Sequence, residues 1–313
     1  MKIYVLGKTS SITHWLEDTV DAFRADGHEV RVGVTRRPWL NAALESALHV
    51  PIAARIGRGI RQFAPDFILG IGAYHIAPSI VEAIARQPRR PPLIAWVGDA
   101  FAGNITAAAN LFDLVGYTDS GLLARHEDLG FTAPGFYLPH AVNQRSAPTR
   151  TPAQRAARMV LVANPTPHRR QVVEAITAPI VLYGPAWSTG PGAAHDIHAR
   201  RVRPRELMGI YGENLASLNI RNEYNVLNGL NQRSFDPYLV TTPVVTDDQP
   251  DLHRCFEPGQ EVLVYRSADE LNDIYDRLRR APSDAARVGE NGRRRVLAEH
   301  TYGHRLEAIA KRL

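Results

Sequence analysis

Short apolar runs alternate with segments of helical spacing from one end of this chain to the other, and the alternation is interrupted once. Residues 2–6 read as an apolar strand, Leu16, Val20 and Phe23 mark a helix, Gly27-His28 breaks it, and 29–35 reads as a second strand. A strand–helix–strand unit of this length closes only as a parallel pair with a crossover, so the sheet is expected to be doubly wound. The same rhythm continues through PDFILGIG at 65–72, a helix at 77–86, a strand at 93–97, the run at 111–119, a helix from Ser120 to Leu129 and FYLP. It stops at 145–158, RSAPTRTPAQRAAR, a stretch with proline and threonine but no apolar period. It then resumes with MVLVANP, a helix at 168–177, PIVLYGP, a helix at 204–213, and strands at 215–220, 243–246 and 261–267, before the terminal helices. The fold class is therefore α/β with two Rossmann-like domains: 1–145, a linker at 146–158, and 159–313, the last helix being free to return to the first domain. At 313 residues each half is long enough to bury its own core.

Composition narrows the chemistry. Apolar residues make up 44% and charged ones 22%, which excludes a disordered chain. The single cysteine, Cys255, excludes a disulfide framework or a cysteine-cluster metal site. The apolar part of MKIYVLGK is too short for a signal peptide, and no run approaches the ~20 residues of a membrane span. A cytoplasmic protein is expected. The net charge of +5 is almost all arginine, with lysine only at Lys2, Lys8 and Lys311. Guanidinium forks suit phosphate ligands, and equally an anionic membrane surface, so peripheral attachment at the inner face of the membrane stays open. No interleaving of aromatic and basic residues points to nucleic acid.

Candidate site residues follow from where ligands bind in such sheets, beyond the strand C-termini. In the first half these are His14, after strand one, and Asp99, after AWVGD; either could act as a general base, and either could instead serve a helix start. His140 reads as an interdomain packing residue. In the second half Arg169 and Arg170 open a helix directly after a strand, where cation, helix dipole and free amides favour a diphosphate; being adjacent, they cannot both face it. Asp236 opens a short helix beside the buried strand at 243–246, the position of a ribose-binding carboxylate. Asp247 and Asp248, adjacent rather than alternate, read as a loop contact or a cap, and Asp248 is counted with the ligand-contacting set. His195 and His198 have the spacing of a helical metal clasp but lack a third ligand, so no metal is expected.

The second half resembles the CgeB-like branch of the group 1 glycosyltransferases. The matching pieces are VANPTPHRR, VLYGPAW, SLNIRN, RSFDPYLVTTPVVTDDQPDLHRCFEPGQEVLVYRSADEL and the terminal EHTYGHRLEAI; GDAF, DLVGYTDSG and LPHAVN agree more loosely in the first half. The resemblance implies a GT-B fold with the two domains facing across a cleft and a nucleotide-diphosphate sugar held mainly by the second. It implies that Asp236 binds the ribose, that Arg233 and one of Arg169 and Arg170 lie near the phosphates, and that Asn219 and Arg221 lie beside the donor sugar. The family's two glutamates, eight residues apart, are here Asn228 and Asp236. The expected activity is metal-independent, cofactor-free transfer of a sugar to a glycan, lipid-linked or protein acceptor, with acceptor choice placed in the loops 35–50 and 100–110. A sugar-nucleotide epimerase and a non-catalytic nucleotide-sugar-binding protein are the alternatives.

Overall fold

In a computed structural model, residues 1–8, 14–36, 42–99, 106–148, 154–187 and 195–313 are described. Most of the loop after strand one, the tip of the 35–50 segment, the first part of the 100–110 loop, the middle of the expected linker and the loop after PAW lie outside these residues. The chain divides into two compact units, Met1–Pro139 with Tyr302–Leu313, and His140–Thr301.

The first unit carries β1 (Lys2–Lys8), α1 (Trp15–Ala25), β2 (Glu29–Arg36), α2 (Ala42–Phe63), β3 (Phe67–Ile71), α3 (Pro78–Ala85), β4 (Leu93–Val97), β5 (Leu114–Tyr117), α4 (Ser120–Ala124) and β6 (Gly135–Tyr137). All six strands are parallel, in the order β2-β1-β3-β4-β5-β6. β3 and β4 are buried at every position, which is why they read as unbroken apolar runs. The second unit carries β7 (Ala156–Val162), α5 (Pro167–Ala175), β8 (Ile180–Tyr183), β9 (Asp196–His198), α6 (Pro204–Gly212), β10 (Asn214–Asn219), β11 (Val244–Asp247), α7 (Leu252–Cys255), β12 (Leu263–Tyr265), α8 (Ala268–Arg280) and α9 (Pro282–Glu299). Its six parallel strands run β12-β11-β10-β7-β8-β9. The last helix, α10 (Tyr302–Ala310), belongs to the first unit, where Arg305 Nε donates to the Pro139 carbonyl at 2.7 Å and Tyr302 packs edge-on against Trp96.

Several boundaries differ from the sequence expectation. α2 begins at Ala42, inside the segment 35–50 expected as a loop. Strand β7 starts at Ala156, inside the expected linker, and Arg155 there is a clamp: it donates to Asn214 O, Val240 O and the hydroxyls of Thr241 and Thr242. His140 is buried within the second unit, where Val142 forms a parallel bridge with Thr301. The pair His195 and His198 does not form a helical clasp. His198 ends strand β9, bonds Asp196 and stacks on Tyr183, whereas His195 bonds the Val173 carbonyl.

Each sheet reverses its strand order once, between β1 and β3 in the first unit and between β7 and β10 in the second. Open α/β sheets bind ligands in the crevice beyond such a switch point, and the candidate residues cluster there.

Candidate functional site

In the second unit the switch point lies between the end of β7, which runs into Asn164 and α5, and the end of β10, which runs into Ile220 and Arg221. Thr166 caps α5 by accepting from the Arg169 amide at 3.3 Å, and Pro167 fixes the first turn. That places Arg169 on the inner side of the helix and Arg170 on the outer. Arg169 is 3% exposed; its Nε donates to Ile220 O at 3.0 Å and its Nη1 to Asn164 O at 2.8 Å, so the guanidinium bridges both lips of the crevice. Its Nη2 is buried with no hydrogen-bond partner among the described residues. Arg170 instead donates to Ala186 O and lies over the Trp187 ring, 5.5 Å from its centroid. Of the adjacent pair, only Arg169 faces the crevice.

Burial, and then the neighbouring positive charge of Arg233, push the Arg169 guanidinium down to about 9, partly opposed by Glu223, Asp247 and Tyr265. A cation held there is destabilised, and an anion arriving beside it would relieve that. One anion is already near. Glu223 accepts from the Thr166 hydroxyl at 2.8 Å and from the His168 amide at 3.2 Å, taking up a free N–H of the α5 N-terminus. Burial alone would raise this carboxyl; the bonds from its own backbone amide, Thr166 and His168 bring it below its ordinary value.

The rest of the predicted set divides clearly. Arg221 donates its amide to Asp247 Oδ1 at 3.2 Å and faces Asp247 Oδ2 at 3.6 Å through Nε. Asp247 sits at the end of β11, nearly buried, and burial outweighs Arg221 and the other donors to push its carboxyl up. Asn219 is fully buried and directed inward: its amide donates to Ser234 and Thr246 hydroxyls and its carbonyl accepts from Asn231, so it braces the loop rather than reaching a ligand. Asp248 also turns away, pairing with Arg266 at 2.9 Å on the surface. Sequence reading put Asp248 in the site; the alternation of β11 puts Asp247 there instead.

Asp236 opens the 3-10 turn Asp236–Val240, is 9% exposed and accepts from Gln232 Nε2 at 2.7 Å. Burial and then the Asp236 charge raise the Tyr211 hydroxyl, which Arg233 opposes, so Arg233 lies within electrostatic reach of both Arg169 and Tyr211. The turn is held by close approach. A Cβ at Gly289 of α9 would lie 2.0 Å from Thr241 O, and one at Gly292 would lie 2.1 Å from Tyr238. Glycine at both positions lets α9 lie directly on the segment that carries Asp236, and Thr241, at φ +55°, is pinned between α9 and Arg155.

In the first unit, the switch point between β1 and β3 gathers a different set. Gly72 follows β3 with φ +58°, a left-handed bend that a side chain would resist, and turns Tyr74 and His75 back over the strand ends. The Tyr74 hydroxyl donates to Asp99 Oδ2, and Lys8 at the end of β1 contacts His75 Nε2. Because an ammonium can only donate, Nε2 of His75 is the acceptor in that pair. Burial first, and then the Asp99 charge, raise Tyr74 well above an ordinary phenol, so it remains a donor. His14 flanks α1 without a side-chain cap bond, and burial lowers it, keeping its imidazole neutral. Tyr74 and His75 were not anticipated from sequence, since nothing local marks a turn residue as facing another strand's end.

Comparison with known proteins gives the family and the fold. A family profile described as "Glycosyl transferase-like" matches residues 151–311. No curated protein matches the sequence. Among solved structures, sucrose-phosphate synthase from Thermosynechococcus elongatus superposes with a TM-score of 0.69 at 12% identity, covering 99% of this chain and 97% of that one. Anabaena HepE in complex with UDP-glucose gives 0.68 at 13%, covering 99% and 98%. A glycosyltransferase from Rickettsia africae gives 0.70 at 10%, covering 99% and 97%. With its two six-stranded parallel sheets the fold is of the GT-B type, and the chain belongs to the glycosyl transferase-like family.

Proposed function

We propose that this protein is a glycosyltransferase of the CgeB-like branch, transferring a sugar from a nucleoside-diphosphate sugar to a hydroxyl-bearing acceptor without a metal ion. The observation that carries this reading is Arg169, a buried guanidinium whose Nη2 has no partner among the described residues, at a helix N-terminus on a switch point and within reach of a second arginine. Two arginines and the positive end of the α5 dipole can neutralise a departing diphosphate, the part a divalent cation would otherwise take. Asp236 is the ribose carboxylate in this reading. Asn219 supports the sugar-side loop, and Asp247 orients Arg221.

In the transfer, the bond from the sugar's anomeric carbon to the diphosphate oxygen breaks and one to the acceptor oxygen forms. The acceptor proton passes to the leaving phosphate if configuration is retained, or to Asp99 if it is inverted. HepE was crystallised with UDP-glucose and with UDP, so uridine diphosphate sugars are the first donors to try. The acceptor would be a glycan, a lipid-linked sugar or a protein. No helix among the described residues is long and apolar enough to cross a membrane, and a cytoplasmic enzyme with peripheral membrane contact fits this reading.

Asn228 and Asp236, in place of the family's glutamates, favour a second reading: a binder that holds a nucleotide sugar without turnover. Thermal shift of the full chain against nucleoside diphosphates and their sugars, with and without chelator, tests the donor site. A ligand at a hundred times its Kd raises stability by about 2.7 kcal/mol. A chelator-insensitive shift that Asp236→Ala abolishes is the expected result. No shift from any nucleotide would overturn the donor site, and a shift without release of nucleoside diphosphate on adding acceptor extracts would favour the binder.

A further inference from the structure

Several exposed arginines of this protein have a carboxylate within reach: Arg86 pairs with Glu82, Arg200 with Glu206 and Arg280 with Asp276. Four do not. Arg24, Arg31, Arg55 and Arg58 have no ion-pair partner among the described residues, and together they rim one open concavity of about 680 Å³ in the first unit. No acidic side chain lines it.

The arginines come from three elements. Arg24 ends α1, Arg31 lies on the edge strand β2, and Arg55 and Arg58, three apart, share one face of α2. Three are held in place: Arg24 Nη2 donates to Val30 O at 2.9 Å, Arg55 Nη2 to Val34 O at 3.4 Å, and Arg31 lies 4.8 Å over the Phe63 ring. At the floor is Tyr4, 5% exposed, its hydroxyl against Gly59, where a Cβ would come within 2.7 Å. Arg55 and Arg31 both act electrostatically on that hydroxyl, in each case opposing the rise that its burial imposes. Gln62 adds an amide to the wall. Edge strands are guarded by charge, but dispersed charge is enough for that. Here guanidiniums, two of them held by backbone carbonyls and one over a ring, converge on a hydroxyl floor with no acidic side chain among its lining residues.

We propose that this concavity is a binding site for a phosphate group, distinct from the donor site and independent of the function proposed above. Guanidinium forks match phosphate oxygens two at a time, and a hydroxyl and an amide supply further donors. The phosphate could be carried by a soluble ligand or by an anionic lipid headgroup, and the two are separable.

The full chain is tested against two probes: inorganic pyrophosphate by titration calorimetry, and vesicles of phosphatidylglycerol, with phosphatidylcholine vesicles as control, by co-sedimentation. Wild type is compared with the double variant Arg55→Ala/Arg58→Ala, with Arg55→Lys/Arg58→Lys, and with Arg169→Ala, each checked for its fold by circular dichroism. The alanine pair should weaken binding of one probe roughly tenfold or more, with Arg169→Ala leaving that binding in place. Loss of pyrophosphate binding identifies a soluble ligand, and loss of phosphatidylglycerol binding a lipid headgroup. The lysine pair should recover only part, because it keeps charge but not the fork. Binding of neither probe, binding unchanged in the alanine pair, or binding lost only in Arg169→Ala overturns the proposal. Should the alanine pair misfold, the lysine pair carries the test alone: wild-type affinity there means diffuse charge and no site.

Discussion

The switch points of the two sheets lie at equivalent places in two similar topologies, yet they are furnished for different work. That of the second unit is built around a cation that is costly to hold: Arg169 is buried, is pushed down by burial and by Arg233, and lends two of its N–H groups to the strand ends while a third has no partner. That of the first unit is built from proton donors and acceptors in contact, Tyr74 with Asp99 and Lys8 with His75. A crevice of the first kind holds an anion; one of the second kind handles a hydroxyl and its proton. In the function proposed above the same scaffold divides binding and proton handling between two sheets, and the residues that decide which is which lie in the turns, not in the strands.

The difference is broken most sharply at Asp99. Asp99→Ala should lower turnover by about 100- to 10,000-fold, the usual contribution of a general base, while nucleotide affinity stays near wild type. Steady-state kinetics with direct binding measurement check this. Turnover near wild type would assign the proton to the leaving phosphate and retention to the reaction. The reverse lesion is Arg169→Ala, which should weaken nucleoside-diphosphate binding roughly 10- to 100-fold through loss of a charge-assisted contact of about 1.5–3 kcal/mol. Arg169→Lys should recover little, since a lysine cannot bridge Asn164 O and Ile220 O while also facing a phosphate. If either substitution produced the other's phenotype, the division between the crevices would be wrong.

Much of this was legible in the chain, for physical reasons that also explain the rest. Fully buried parallel strands such as Phe67–Ile71 and Leu93–Val97 announce themselves as apolar runs, and the crossover helices by their period, so the α/β alternation follows from sequence, whereas the strand order, and with it the switch points, comes from the structure. The choice between Arg169 and Arg170 depends on the Thr166 cap, a signal present in TPHRR but decisive only once the helix start is fixed to the residue. Asp247 could have been chosen over Asp248 by strand alternation. Glu223 and Tyr74 could not, because their partners, Thr166 and Asp99, lie 57 and 25 residues away and are brought near only by strand order. Asn219 differs from what the resemblance implies: placed beside the donor sugar by the family motif, here it has its amide and carbonyl consumed inside the loop.

A subtler probe of the first crevice is Tyr74→Phe. The phenol's hydrogen bond favours the charged form of Asp99, so removing it should raise the carboxyl. The acidic limb of the pH–rate profile then moves to higher pH, and turnover at neutral pH falls by roughly tenfold, the order of one lost hydrogen bond to a charged group. A purely structural tyrosine would lower turnover without moving the limb.

The smallest expected effect has the opposite sign, and it sharpens the account of the second crevice. Glu223 occupies the His168 amide and the Thr166 hydroxyl at the start of α5, and with Asp247 it offsets part of the positive charge on Arg169. A diphosphate entering this seat meets a like charge on the helix terminus it would use. Glu223→Gln keeps a carbonyl to accept from the His168 amide, and its NH2 can donate to the Thr166 hydroxyl, which turns to accept, so the loop can hold its place while the charge is gone. Interactions at a helix terminus are worth about 0.3–1 kcal/mol, so nucleoside-diphosphate affinity should rise roughly two- to fivefold. The gain should shrink as salt is added, because screening removes the repulsion in wild type. Titration calorimetry at low and high ionic strength reads both. A loss of affinity on this substitution would mean that Glu223 is a ligand contact in its own right and that the phosphates sit elsewhere along the crevice.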